Sequence, residues 1–244
     1  MDSRTSCPQG PELAVIMPVY NEAGGIAKVL DLWCPLFREL CPDVRVHVYN
    51  DGSRDNTLEM LRQCAARHPE IVVHDKPNEG HGPTVLRGYR ENLDARWIFQ
   101  MDSDGELEHT TFPALWAVRE DFDLLLGQRQ GRPSPLPRKC ISAVTRTVVR
   151  LCYGSGLKDV NVPYRLLRVE TFASALRRIP PETFAPNVIL DGYACLRRLR
   201  LRQLPVRHIG KPGHAGSTPR LRLFVGAARS LLQVVACRVR LGGV

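Results

Sequence analysis

The sequence predicts an α/β fold with a largely parallel, doubly wound sheet flanked by helices. Short apolar runs alternate with stretches whose apolar residues recur at helical spacing, and this alternation is typical of such a sheet. Polar clusters also follow several predicted strands, and open α/β sheets bind their ligands at the carboxyl ends of the strands. A chain of 244 residues suits one α/β domain or two small ones.

The first half of the chain alternates regularly between strand and helix. Strands are predicted at residues 13–19, 44–49 and 71–74 and in the apolar run that ends at Asp102. Helices are predicted after the first three strands, ending near Leu40, Arg67 and Leu93. Asp55 is the expected N-cap of the second helix, because a short acidic side chain can accept hydrogen bonds from the first helical amides.

The second half is less regular. Strands are expected at residues 123–127, 164–169 and 204–208, and helices at roughly 139–153 and 187–200, with a loop rich in Pro, Gly and Arg at 128–138. The simplest division is a flexible arm at residues 1–11, one domain at residues 12–210 and a C-terminal tail at residues 211–244.

Composition favours an anion-binding protein that works inside the cell. The net charge is +9 and 43% of the residues are hydrophobic, so the chain can form a core and attract phosphorylated substrates, nucleic acid or an acidic membrane surface. The eight cysteines include no C-x-x-C pair, which predicts reduced thiols that pack in the core. No export signal or membrane-spanning run is apparent, so a cytoplasmic location is expected.

Asp102 and Asp104 are the most informative residues of the chain. They close an apolar run and occupy alternate positions, which share a side of an extended chain. Two such carboxylates repel each other unless a positive group lies between them. A divalent cation would satisfy both, and such a cation commonly also holds a diphosphate. A solvated Asp-x-Asp turn is the alternative, but the polar clusters at residues 20–22 and 50–53, which follow two other strands, favour a site.

Four segments, taken in order, resemble the family 2 glycosyltransferases with the GT-A fold. They read PVYNE at residues 18–22, NDGSRDNT at 50–57, NEGHG at 78–82 and DSD at 102–104. Within that family the likeness is greatest to the dolichol- and polyprenyl-phosphate mannose synthases, through GQR at residues 127–129 and KDVNVPYR at 158–165. Two departures are Asn50, where the family usually has an acid, and KPGHAGS at 211–217, where related enzymes often show Arg-x-x-Gly-x-Ser.

The resemblance implies roles for particular residues. The base and ribose of a nucleoside-diphosphate sugar would be held by Pro18, Tyr20, Glu22 and Asp51. Asp102 and Ser103 would also contact this donor, and a divalent metal, Mg²⁺ or Mn²⁺, would bind Asp102, Asp104 and Glu106. The metal would act as a Lewis acid for the departing nucleoside diphosphate. Anionic oxygens would face Arg129 and Arg138, whose guanidinium groups suit them.

The resemblance also implies transfer of the sugar with inversion at its anomeric carbon. A polyprenyl phosphate is the expected acceptor, and its ionised oxygen needs no general base. A soluble hydroxyl acceptor is the alternative, and a carboxylate must then take the proton. Asp159 and Asp191 are the candidates for this catalytic role, although Asp159 could equally be structural and pair with Arg165.

Two other classes of protein fit the sequence less well. A dinucleotide-binding fold would need G-x-G-x-x-G after the first strand, where this chain has Tyr20-Asn21-Glu22. A non-enzymatic module for nucleic acid or anionic lipid is suggested by the arginines of residues 197–202. However, the aromatic content is only 7% and forms no interleaved stacking platform, so no nucleic-acid partner is expected.

The C-terminal tail predicts a basic amphipathic helix. Apolar residues form one stripe between Leu221 and Val239, with arginines opposite. Such a helix can lie in a membrane interface, which would place the protein peripherally on the inner face of the membrane. It can equally pack on the domain or against a second subunit, and the sequence leaves the oligomeric state open.

Overall fold

One seven-stranded sheet organises the protein in a computed structural model that describes residues 10–131, 162–210, 233 and 235–238. Its strands are β1 (Leu13–Val19), β2 (Val44–Asp51), β3 (Ile71–Lys76), β4 (Trp97–Met101), β5 (Leu124–Gln130), β6 (Tyr164–Arg168) and β7 (Leu201–Arg207). Their order is β3-β2-β1-β4-β6-β5-β7. Because β6 alone runs antiparallel to its neighbours, the prediction of a largely parallel sheet is confirmed.

Helices cover both faces of the sheet. They are α1 (Ile26–Leu40), α2 (Thr57–Arg67), α3 (His81–Glu91), α4 (Phe112–Ala117), α5 (Val169–Arg178) and α6 (Pro186–Leu196). α1 and α2 pack against each other and against β2, whereas α3 packs on β1 and β2 and contacts α5 and α6. Right-handed connections account for this division, because the chain reverses its direction across the sheet between β3 and β4.

An aromatic cluster fixes the position of α1 against the sheet. Trp33 and Phe37 of α1 meet Phe99 of β4, Phe112 of α4 and Tyr164 of β6, and all five rings are buried. The ring centroids of Phe99 and Phe112 are 4.7 Å apart, and those of Phe37 and Phe112 are 5.0 Å apart. Burial of each large apolar side chain contributes about 1.5–3 kcal/mol, so this cluster fixes two helices and two strands relative to one another.

Several predicted boundaries are wrong. The helix expected at 187–200 ends at Leu196, because Arg198 adopts the left-handed conformation with φ of 52° and β7 begins at Leu201. The strand expected at 164–169 ends at Arg168, because Val169 begins α5. The N-cap of α2 is Asn56 and not Asp55, although Asp55 Oδ1 does accept a hydrogen bond from the amide of Thr57 at 3.1 Å.

Some predictions lie outside the described residues. These are the helix at 139–153, Arg138, Asp159 and most of the tail. Of the tail, residues 233 and 235–238 are helical. The cysteines of the described ranges are free and mostly buried, as predicted. No helix within those ranges has both the length and the hydropathy that crossing a bilayer requires.

Candidate active site

The reversal of strand order opens a crevice between β1 and β4 at their carboxyl ends. β2 and β3 lie on one side of β1 in the sheet, and β4 lies on its other side. In open α/β sheets, ligands bind at the point where the strand order reverses in this way. β1 pairs with β2 through Val19 but with β4 only through Ile16. Pro18 therefore lies beyond the last residue of β1 that pairs with β4. Tyr20 follows β1 and Asp102 follows β4, at the ends where the two strands separate.

The loop after β1 is bonded to the loop after β2. The amide of Asn21 donates to Ser53 Oγ at 3.0 Å, and Asn21 Oδ1 accepts from the amide of Arg54 at 2.8 Å. The amide of Glu22 donates to Thr57 Oγ1 at 2.9 Å. These bonds fix the two loops relative to each other. Tyr20, in the first of these loops, is 45% exposed at the crevice. The polar residues of the motifs at 18–22 and 50–57 thus line the crevice and bind each other, and Glu22 takes part through its backbone amide.

Asp51 is buried and its carboxylate binds groups of the protein itself. Lys76 Nζ donates to Oδ1, the amide of Glu79 donates to Oδ1 at 2.8 Å, and the amide of Gly80 donates to Oδ2 at 3.0 Å. Burial alone would raise the pKa of Asp51, but the hydrogen bonds from Lys76 and Glu79 outweigh it and lower that pKa. Asp51 therefore anchors the loop after β3, and its contact with a nucleotide base stays a prediction.

Two glycines let the surrounding loops approach closely. Gly52 has a φ of +66°, and a Cβ there would lie 2.7 Å from the backbone nitrogen of Asn78. A Cβ on Gly82 would lie 2.1 Å from the backbone oxygen of Phe184. Such contacts are too short for any side chain, so the glycines of the second and third motifs bring the loops after β2 and β3, and the segment before α6, into one assembly.

Asp102, Asp104 and Glu106 form an acidic cluster after β4. The amide of Glu106 donates to Asp104 Oδ1 at 2.9 Å, which ties the turn together around the buried Ser103. The pKa of Asp102 is raised to about 6, mainly by burial and also by the charges of Asp104 and Glu106, whereas His81 and Arg129 oppose the rise. The charges of Asp104 and Glu106 act on Asp102. Among the described residues, however, these three carboxylates do not form a set whose oxygens all lie within 4.8 Å of one another, so their role as metal ligands stays a prediction.

The donor groups of this cluster fit a hard divalent cation. Carboxylate oxygens are the ligands that Mg²⁺ prefers and that also suit Mn²⁺. A cation would also favour the ionised form of Asp102, whose pKa is raised to about 6 by burial and by the neighbouring carboxylates. His208, at the end of β7, lies with Nε2 2.9 Å from Glu106 Oε2 and is well placed to orient that carboxylate. No motif indicates His208, which lies 102 residues from its partner along the chain.

A buried chain of hydrogen bonds supports Asp102 from behind. Tyr89 of α3 donates to Asn187 Oδ1 at 2.9 Å, Asn187 Nδ2 donates to Gln100 Oε1 at 3.0 Å, and Gln100 Nε2 donates to Asp102 Oδ1 at 3.3 Å. The members come from three elements that are distant in sequence, so no motif could have revealed them. The chain fixes the direction of Asp102 through packed, satisfied polar groups.

Asp191 is not placed to act as a general base. Its side chain and that of Arg165 are both 0% exposed, and Arg165 Nη1 lies 3.1 Å from Asp191 Oδ1. Arg165 also donates to the backbone oxygens of Val162 and Asn187 at 3.3 and 3.2 Å. The expectation that Asp191 could take a proton from an acceptor is therefore wrong, and Arg165 has a carboxylate partner other than the suggested Asp159.

Arg129 lies at the end of β5, on the far side of the crevice from β1. Its charge lowers the pKa of Asp102, which shows that the guanidinium is close to the acidic cluster. His81, the first residue of α3, is also near, with Nε2 3.7 Å from Asp102 Oδ1. The acidic cluster is therefore flanked by positive groups that can face the oxygens of an anionic ligand.

A cleft of about 560 Å³ opens beside Asp104, between α1 and the turn that follows β4. Its walls combine a basic group, Lys28, with large apolar side chains and with acidic and polar groups near the acidic cluster. The apolar members are Val29, Leu32, Trp33, Leu107 and Ile209. Leu32 and Ile209 are exposed, so the cleft offers apolar surface directly next to the carboxylates.

The fold and this site together define a glycosyltransferase. A family model described as "Glycosyl transferase family 2" matches residues 14–139, which is more than half of the chain. The chain therefore belongs to glycosyl transferase family 2. The match includes β1 to β5 and the acidic cluster.

Among the relatives to which this chain is similar, two are named for mannose and one for a modified arabinose. The undecaprenyl-phosphate mannosyltransferase of Micrococcus luteus is 30% identical over 164 residues, which are 64% of this chain and 66% of that one. The polyprenol monophosphomannose synthase of Mycolicibacterium smegmatis is 26% identical over 86% of this chain and 83% of that one. The undecaprenyl-phosphate 4-deoxy-4-formamido-L-arabinose transferase of Proteus mirabilis is 23% identical over 75% of this chain, which spans only 56% of that enzyme.

Solved structures show the same fold at low sequence identity. The glucosyl-3-phosphoglycerate synthase of Mycobacterium tuberculosis, in complex with phosphoglyceric acid, has a TM-score of 0.68 at 14% identity, over 94% of this chain and 81% of that one. The same enzyme in complex with Mn²⁺ and uridine-diphosphate-glucose has a TM-score of 0.67 at 17% identity, over 94% of this chain and 80% of that one.

Proposed function

We propose that this glycosyltransferase moves a sugar from a nucleoside-diphosphate donor to a polyprenyl phosphate, with inversion at the anomeric carbon. The acceptors named for the mannosyltransferase, the mannose synthase and the arabinose transferase above are all polyprenyl phosphates, which supports this acceptor class. The proposed catalytic domain is residues 12–210, with residues 211–244 as a tail. The shape of the donor pocket determines which sugar and which base the enzyme accepts.

The donor would lie in the crevice between β1 and β4. Asp102, Asp104 and Glu106 would hold Mg²⁺ or Mn²⁺, which supplies positive charge to the departing diphosphate. The solved neighbour that contains Mn²⁺ and uridine-diphosphate-glucose has the same fold, which supports a divalent metal here. Arg129 would face the diphosphate oxygens, with Arg138 proposed for the same task. Tyr20, Glu22 and Pro18 would contact the nucleoside, and Asp51 would hold the loop that closes around it.

The observation that carries the acceptor proposal is the cleft beside Asp104. It places one cation, Lys28, among large apolar side chains, next to the acidic cluster. A phosphate attached to an apolar chain matches that combination, because Lys28 can bind the phosphate while the chain covers the apolar wall. The phosphate oxygen is already ionised near neutral pH, so it attacks without a general base, in agreement with the burial of Asp191.

We expect Lys28→Met to raise the KM for a short polyprenyl phosphate roughly tenfold, about 1.4 kcal/mol, while the KM for the donor stays unchanged. The physical reason is the loss of one charge-assisted contact to the acceptor phosphate. Steady-state transfer to the lipid, followed by mass spectrometry of the product, measures both constants. Arg62→Met, which removes a positive charge from the exposed side of α2, is the matched control.

Two outcomes of that assay count against the proposal. Transfer to a soluble hydroxyl compound such as 3-phosphoglycerate, with none to the polyprenyl phosphate, would replace the lipid acceptor by a soluble one. Equal KM changes in Lys28→Met and Arg62→Met would show that only the net charge matters and that the cleft does not hold the acceptor.

The protein would meet a lipid acceptor at a cytoplasmic membrane surface, to which we propose that the tail binds peripherally. In the described part of the tail, the Gln233 side chain accepts a hydrogen bond from the amide of Phe184 at 2.9 Å and Cys237 is buried. Val235, which belongs to the predicted apolar stripe, is 49% exposed, and Phe184 is 50% exposed. The helix thus contacts the domain through one side and presents apolar surface on another, as an interfacial helix would.

We expect Val235→Asp to reduce co-sedimentation with vesicles that contain anionic lipid, because an acidic residue at the interface loses apolar burial and is repelled by the lipid charge. Val235→Leu, which keeps the apolar character, should co-sediment like the wild type. Nucleotide binding should be the same in all three proteins. If the wild type fails to sediment with such vesicles, or if Val235→Asp sediments as well as the wild type, the proposed membrane contact is excluded.

A further inference from the structure

Cys34, His68 and Glu70 form a buried cluster at the opposite end of the sheet from the acidic cluster. One ligand atom from each residue, the thiol sulfur, a ring nitrogen and a carboxylate oxygen, lies within 4.8 Å of the other two. Cys34 belongs to the second half of α1, and His68 and Glu70 belong to the turn that precedes β3. His68 and Glu70 precede the amino end of β3, whereas Asp102 and Asp104 follow the carboxyl end of β4. Since β3 and β4 run parallel, the two clusters lie at opposite ends of the strands.

Two of the three residues carry buried acceptor atoms without a hydrogen-bond partner. The Glu70 side chain is 4% exposed, and neither of its carboxylate oxygens is hydrogen-bonded. His68 Nδ1 is also buried and unpartnered. Arg38 Nε lies 3.4 Å from Glu70 Oε1. This partly exposed arginine forms an ion pair with Glu70 but no hydrogen bond. A buried carboxylate in this state is costly, so the cluster calls for a positive centre among these atoms.

The other ring nitrogen of His68 is fixed by Asp31. His68 Nε2 lies 2.8 Å from Asp31 Oδ1, and Arg67 Nη2 lies 3.0 Å from the same oxygen. These two hydrogen bonds lower the pKa of Asp31, so its carboxylate is ionised and accepts the proton on Nε2. The lone pair of His68 Nδ1 then points toward Glu70. A histidine that donates to a carboxylate through one nitrogen and offers the other to the cluster has the geometry of a metal ligand.

We propose that Cys34 Sγ, His68 Nδ1 and a Glu70 oxygen bind a divalent ion of the zinc class. Thiolate and imidazole ligands select such an ion over Mg²⁺ or Ca²⁺. Ligand bonds of about 2.0–2.3 Å place tetrahedral ligands about 3.5 Å apart, so the cluster must contract by about 1 Å from its 4.8 Å limit. On binding, the S–H bond of Cys34 breaks, the sulfur bonds to the ion, and the proton passes to solvent.

The charges and the position suit a structural ion. One thiolate and one carboxylate balance the two charges of the ion, and the neutral His68 adds none. Burial and the neighbouring Glu70 raise the pKa of the Cys34 thiol, so the metal-free cluster keeps its proton and the ion must displace it. The ion would join α1 to the turn between α2 and β3. It would lie far from the crevice, so its effect would be on stability and not on the transfer chemistry.

An imidazolium without a metal is the competing arrangement. A second proton on His68 Nδ1 would have to donate to Glu70, but Nδ1 and Glu70 Oε1 are 3.9 Å apart, which is too long for a hydrogen bond. In that arrangement the Cys34 thiol stays protonated beside Glu70. The two arrangements therefore differ in whether the Cys34 sulfur bonds to an added ion.

Cobalt substitution of the full-length, tag-free protein tests this difference. Chelator-treated protein is titrated with Co²⁺ in the presence of excess Mg²⁺, which occupies carboxylate sites, and near-ultraviolet absorption reports a cobalt–thiolate bond. We expect one equivalent of Co²⁺ to produce that absorption and Zn²⁺ to abolish it and raise the melting temperature. Cys34→Ala should lose the absorption. Cys41→Ala, another buried cysteine of the same region whose sulfur faces Glu12 and Asp43, should keep it.

A second variant keeps the test decisive if Cys34→Ala does not fold. Asp31 is 48% exposed in its side chain and is not a proposed ligand, so Asp31→Ala should fold and retain the absorption while weakening Zn²⁺ affinity about 10–100-fold. Absence of the thiolate absorption in the wild type, its persistence in folded Cys34→Ala, or an unchanged Zn²⁺ affinity in Asp31→Ala would each overturn the proposed site.

Discussion

Replacing Asp104 by asparagine is expected to lower sugar transfer by at least about 100-fold and to remove the metal dependence of nucleotide binding. The charge of Asp104 is needed where the diphosphate departs, and loss of one preorganised electrostatic group at such a position typically costs 10²–10³ in rate. The fold should remain intact, because the side chain follows β4 and one carboxylate is removed from a repulsive cluster. The melting temperature of the metal-free protein should therefore stay the same or rise.

Isothermal titration with a nucleoside diphosphate, with and without Mn²⁺, measures this effect together with the transfer rate. Asp121→Asn makes the same chemical change at an exposed position of the short 3-10 helix Arg119–Asp121, so it controls for net charge. Metal-dependent binding that survives in a folded Asp104→Asn protein would remove Asp104 from the proposed metal site.

The sequence predicted the first half of the sheet well because its information is local. Each of β1 to β4 is an apolar run that ends at polar residues, and the parallel arrangement then brings those residues together. Asp102 and Asp104 could be assigned from this pattern alone. The groups that support them could not, since Asn187 reaches Gln100, and His208 reaches Glu106, only through the tertiary fold.

The second half was harder because its pairing is not local. β6 inserts between β4 and β5 and runs against both, and nothing in residues 164–168 indicates that direction. α4 has only six residues and gives too little periodicity to predict. α5 was missed although Val169, Phe172 and Leu176 are buried at helical spacing, a signal that could have been found. Arg165 of β6 pairs with Asp191, and both side chains are buried. The sequence does not reveal this pairing, and it therefore suggested Asp191 as a candidate general base.

The metal ligands proposed at Cys34, His68 and Glu70 illustrate the same limit. Spacing rules detect metal sites whose ligands come in close pairs, and here Cys34 precedes the other two by more than 30 residues. The sequence therefore predicted core packing for all the cysteines. The structure adds the unpartnered oxygens of Glu70, which are the physical reason to consider a ligand at that place.

Asp191→Asn is expected to destabilise the protein by about 3–5 kcal/mol, because it leaves the Arg165 guanidinium buried without a countercharge. Both side chains are 0% exposed, so water cannot replace the lost partner. The double variant Arg165→Met/Asp191→Leu should recover most of that loss, since a buried ion pair can be exchanged for apolar side chains at little net cost. Two changes that compensate each other in this way are strongly non-additive.

Urea unfolding of Asp191→Asn, of the single variants Arg165→Met and Asp191→Leu, and of their double variant measures the effect. Glu120→Gln is the control, because Glu120 pairs with Arg96 and their side chains are 46% and 43% exposed; such a pair contributes about 0–1 kcal/mol. The slope of the unfolding free energy against urea should be similar in all variants if they share one native fold.

A loss below about 1 kcal/mol in Asp191→Asn, comparable to that control, would mean that water reaches the pair and that its burial does not set its energy. In that case Asp191 would again be open to a role in proton transfer, and the preference for an ionised phosphate acceptor would lose the support it draws from the burial of this carboxylate.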